Sequence, residues 1–124
     1  MTSIIRWFAR TRFADSLFQP TLRLADRGIA QYRALDPHEP LRRDAVATAV
    51  LFLMHGPVRR LRSVRRREPA YVWKHRGEAW AAALGFEPYI STSEFLAGCY
   101  ALDVPVRVLP TGDALVGLSH AGPA

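Results

Sequence analysis

The sequence predicts a small α+β single domain, mainly α with about five helices, closed by a C-terminal β-hairpin. Three observations carry that expectation. Prolines and glycines cut the 124 residues into segments of about one helix each. The stretch 45–54 is apolar almost all round, as in a helix buried inside a bundle. Near the end, "VPVRVLPTGDALVGLS" reads as two short strands around a Pro-Thr-Gly-Asp turn. With 49% hydrophobic and 10% aromatic residues there is apolar material for one core. One domain over 1–124 follows, with 1–68 as a basic helical half and 69–120 as a helix–helix–hairpin half.

The first helix is expected over 2–18, ended by Pro20 because the residue before a proline is pushed out of the helical region. Ile4, Trp7, Phe8, Thr11, Ala14 and Phe18 share one face, but Phe13 and Leu17 fall on the side of Arg6 and Arg10, so two faces are greasy. A second helix spans 21–35 up to Asp36-Pro37, with Gly28 as its weak point. The third, 41–55, is stopped by Gly56, and Pro57 can start the next. Drawn as a helix, that next segment places Val58, Leu61 and Val64 within about 120° of arc, with Arg59, Arg60, Arg62, Arg66 and Arg67 opposite.

The back half carries stronger local signals. A helix over 71–84 is stopped by Gly85 in the C′ position. "STSE" offers a capping box, with Ser91 as N-cap and Glu94 three residues on, opening a helix that ends near Leu102. The strands are expected at 104–109 and 114–118, with Pro105 marking an edge. The closing "HAGPA" reads as disordered.

Charge is distributed unevenly. The chain has 17 Lys+Arg against 11 Asp+Glu, net +6, with a pI near 10.4. Residues 1–68 hold 14 basic and 6 acidic side chains, net +8, while 69–124 hold 3 and 5, net −2. Six arginines crowd into the nine residues 59–67, and only Glu68 is close in sequence to relieve them. On a helix, their i,i+3 and i,i+4 pairs would repel. Neutralising about five phosphates would give a salt slope of roughly −4.5, or about 500-fold in affinity between 50 and 200 mM salt. Sixteen of the 17 basic residues are arginine, a bias that a GC-rich genome also produces.

These features point to a cytoplasmic protein that binds the phosphate backbone of DNA or RNA through Arg59, Arg60, Arg62, Arg66 and Arg67, assisted by Arg42 and Arg43. Phosphate contacts position without reading bases, so little sequence preference is expected. Two other classes of partner fit the same charge. One is a protein, with the chain as a subunit or inhibitor of a larger assembly, docking by greasy faces on the first helix and on the acidic helix 92–102. The other is an anionic membrane surface, met by Trp7, Phe8, Phe13 and Phe18 interleaved with Arg6, Arg10 and Arg12.

Several classes are disfavoured. No GxSxG, P-loop, GxGxxG or paired-carboxylate arrangement is present. His38, His55, His75 and His120 lack the spacing of a zinc site, although His75 and Glu78 lie one turn apart. Cys99, the single cysteine, forbids an internal disulfide and reads as a small buried hydrophobe. No enzyme, metal, cofactor or small-molecule substrate is therefore expected. The order of elements over 71–118 matches a winged helix-turn-helix. Its recognition helix, however, would carry Glu94 and Asp103, and its wing only Arg107, which argues against DNA reading there. No secretory apolar region opens the chain, and the longest apolar run, about ten residues, is half of the roughly 20 that cross a bilayer.

Overall fold

A computed structural model describes residues 15–64 and 68–121, with side chains from residue 19 onward. Within them the protein is a small α+β domain of four helices and two short antiparallel sheets. The helices are α1 (Asp15–Leu35), α2 (Arg43–His55), α3 (Ala70–Leu84) and α4 (Thr92–Ala101). The strands are β1 (Val58–Arg60), β2 (Val106–Val108), β3 (Ala114–Val116) and β4 (Leu118–His120). The helix count is thus four among the described residues, against the five expected.

The shortfall has two causes. The first expected helix, 2–18, lies outside the described residues up to residue 14. Where it was expected to stop, α1 instead runs straight through Pro20. A proline inside a helix forfeits one backbone bond and costs about 3 kcal/mol. The residues just beyond it, Thr21, Leu22 and Ala25, are buried, and the packing of α1 on α4 and α2 offsets that loss.

Helix α4 is the centre of the fold and packs against the other three helices. Its Phe95, Leu96, Ala97, Cys99 and Ala101 are all buried. The sequence reading gave this helix an exposed greasy face, and the structure corrects it: the apolar surplus is core. Two neighbours reach α4 at backbone distance because glycine leaves room. A Cβ on Gly28 of α1 would stand 2.1 Å from the Ala97 carbonyl oxygen, and one on Gly98 would stand 2.9 Å from the Ala49 Cβ of α2. The apparent weak point of the second predicted helix is therefore the crossing point of α1 and α4. One half of the core lies at this crossing, with Leu22, Ala25, Val46, Val50 and Ala97. The other half, with Phe52, Trp73, Phe95, Val116 and Leu118, joins α2, α3 and α4 to the strands.

The start of the arginine segment, Val58–Arg60, is a strand and the described residues after it, 61–64, are not helical, which corrects the segment drawn as a helix. Gly56 is extended, with ψ 176°, and Val58–Arg60 pairs antiparallel with β4 in the register Val58↔His120, Arg59↔Ser119, Arg60↔Leu118. The opening of the expected disordered tail, His120, is thus the end of β4. A helix would have stacked like charges on adjacent turns, whereas a strand sends successive side chains to opposite faces.

The expected hairpin is present but shorter, as β2 and β3 paired Val106↔Val116, Arg107↔Leu115 and Val108↔Ala114. Gly117 joins β3 to β4. Its N–H donates to the Pro105 carbonyl at 2.9 Å, and its carbonyl accepts from Leu61 N–H at 2.8 Å. Strands β1 and β2 therefore follow one another along one edge of the ribbon 114–120, which bends at Gly117 between its two short sheets. No helix among the described residues is long and apolar enough to cross a membrane.

Candidate nucleic-acid interface

The ten described arginines divide by what answers their charge. Four are paired within the fold. Arg43 donates to both oxygens of Asp26 at 2.8 Å, and Arg27 reaches Asp103 at 3.2 Å. Arg76 grips Glu68 through two bonds of 2.6 and 2.9 Å and lies over the Trp73 ring, 4.5 Å from its centroid.

The fourth, Arg42, is the most deeply engaged. It immediately precedes α2, and its backbone N–H, Nε and Nη2 all donate to Glu94 at 2.6, 3.0 and 2.9 Å. Glu94 also accepts the Ser91 N–H at 2.9 Å, while Ser91 Oγ accepts the Glu94 N–H, so the predicted capping box forms. Burial pushes the Glu94 carboxyl up, but the bonds from Arg42 and Ser91 outweigh it and leave its pKa lowered. Glu94 is only 2% exposed. The acid that argued against a winged reading is therefore an internal anchor, not a surface charge. Arg42 and Arg43, expected to assist at the interface, are held in internal ion pairs.

Arg59, Arg60 and Arg62 are exposed, and none makes an ion pair or side-chain hydrogen bond among the described residues. Val58 packs its side chain toward the core and sets the strand's orientation. Glu68, the one carboxylate near them in sequence, makes no ion pair with them. It is taken up by Arg76 and by His120 Nε2 at 3.4 Å, and the Arg76 guanidinium is the main reason its pKa falls to about 2. Arg59, Arg60 and Arg62 consequently keep their charge unneutralised among the described residues, with planar donor forks suited to phosphate oxygens. Arg66 and Arg67 lie outside the described residues. Arg107, on β2, is exposed and likewise makes no such contact. Comparison with known proteins adds no independent pointer.

No family model, curated protein or solved structure matches this chain.

A second polar cluster is closed on itself. Lys74, the sole lysine, is 7% exposed. Its Nζ lies 3.5 Å from Glu78 Oε1, and 5.3 and 5.8 Å from the Tyr71 and Tyr89 ring centroids. The predicted His75/Glu78 pair forms at 2.8 Å, and the other Glu78 oxygen accepts the Ile90 N–H at 3.0 Å. These contacts tie the segment after α3 back onto that helix. Cys99 is fully buried, as expected, and burial pushes its thiol far above the ordinary range. No group of three or more His, Cys, Asp or Glu side chains among the described residues could hold a metal ion.

Proposed function

We propose that this protein binds nucleic acid by its phosphate backbone, with little sequence preference, through Arg59, Arg60 and Arg62 and their continuation in sequence, Arg66 and Arg67. The observation that supports this reading is a contrast. Of the ten described arginines, Arg27, Arg42, Arg43 and Arg76 hold carboxylates and six do not, and three of those six, Arg59, Arg60 and Arg62, fall within four residues on and just after β1. Arg42 and Arg43 enter as structural residues. Phosphate contacts of this kind supply affinity and register but no base readout.

The reading is tested by an electrophoretic shift on a mixed-sequence duplex and a single strand at 50 mM salt, comparing the parent with the Arg59→Gln, Arg60→Gln, Arg62→Gln triple variant. Binding by the parent and a marked loss in the variant supports it. No parent binding, or equal binding by both, overturns it.

A further inference from the structure

We infer that Arg107, 45 residues beyond Arg62 in sequence, belongs to the same anion-binding face, extending it along the ribbon 114–120. The inference rests on the nucleic-acid reading and enlarges its site. Its basis is strand register. Arg59 stands opposite Ser119, and Arg107 stands opposite Leu115. On the ribbon, Ala114, Val116 and Leu118 are buried at 2% or less and point into the core. By the two-residue period of a strand, Leu115, Gly117 and Ser119 point to the other side. Directly paired residues share a face, so Arg59 and Arg107 both stand on the side away from the core. Their inward neighbours, Val58 and Val106, both pack against it.

Gly117 shows what lies between them. A Cβ there would project onto the same outer side, where it would meet the Ser63 carbonyl oxygen at 2.8 Å and the Pro105 Cδ at 2.8 Å. The chain leaving β1 therefore crosses the outer face over Gly117 and carries Arg62, next to Ser63, into the middle of it. The face reads Arg59, then Arg62, then Arg107. The outer two are separated by four ribbon positions with the bend at Gly117 between them, so they stand closer than the about 13 Å that four residues of straight strand would span. No carboxylate pairs with any of the three among the described residues.

The test uses the full chain and a fluorescently labelled 20-base-pair duplex of mixed sequence, with affinity measured by anisotropy from 50 to 200 mM salt. Arg107→Gln is expected to flatten the plot of log affinity against log salt by about one unit, as Arg59→Gln does. Arg107→Lys keeps the point charge and should restore the parental slope. Arg23→Gln, which removes an exposed arginine on α1, should leave the slope unchanged. A parental slope in Arg107→Gln beside a flattened one in Arg59→Gln would remove Arg107 from the face while leaving the nucleic-acid reading intact. Absence of parental binding at 50 mM would overturn both.

Discussion

Arg42 and Glu94 tie the start of α2 to the start of α4 across 52 residues of sequence, through three hydrogen bonds to one carboxylate that is 2% exposed. The same carboxylate caps its own helix through Ser91. Two helix N-termini thus share one buried anion, which suits the positive end of each helix dipole.

Arg42→Met leaves that carboxylate buried without its counter-charge, and the expected cost is about 3–5 kcal/mol. Ser91→Ala removes only the cap and should cost about 1 kcal/mol. Urea denaturation of both variants measures the difference. An Arg42→Met loss no greater than that of Ser91→Ala would show that the pair does not anchor the fold.

Acid stability follows from the two lowered carboxyls. Glu94 and Glu68 both ionise more readily in the folded protein than in the unfolded chain, whose glutamates titrate near about 4.3. Their contribution is therefore fully present above that pH. For Glu68 it is lost progressively as the pH falls toward about 2. Thermal melting from pH 6 to pH 2 should show stability falling below about pH 4.5. In Glu68→Gln the fall should be shallower. An unchanged profile in that variant would mean that Glu68 is not coupled to folding through Arg76 and His120.

What was legible in the sequence is what local chemistry decides. The capping box at Ser91, the stop at Gly85 with its positive φ, the burial of 45–53 and the hairpin turn each depend on residues a few positions apart. The misreadings all involve distant partners. Val58 pairs with His120, so nothing near the arginine run announces a strand. Pro20 marks a helix end by its own chemistry, but Leu22 and Ala25 pack into the core beyond it, so tertiary contact overrides the local rule. Glu94 looked like a surface acid because Arg42, the residue that makes its burial tolerable, is far away in the chain. The charge of the front half was legible, but its division into answered and unanswered arginines was not.

Gly28→Ala is expected to loosen the crossing of α1 and α4, since its methyl would fall 2.1 Å from the Ala97 carbonyl oxygen. The helices must separate to admit it, at a cost of about 1–3 kcal/mol or more. This outweighs the roughly 1 kcal/mol that alanine would gain over glycine at an open helix site. Differential scanning calorimetry should show a lower melting temperature. A rise would mean that α1 does not pack on α4 at this point.

The central claim is that the arginines of β1 and the turn after it are left for an external polyanion. Its most direct measurement is the salt dependence of duplex binding by the parent and by the Arg59→Gln, Arg60→Gln, Arg62→Gln variant. If Arg59 and Arg62 each neutralise one phosphate, with Arg60 opposite the inward-pointing Leu118 on the other side of the strand, the parental slope is steeper than the variant's by about 1.8, and the parent loses about 12-fold more affinity than the variant between 50 and 200 mM salt. Equal slopes for the two proteins would contradict the claim.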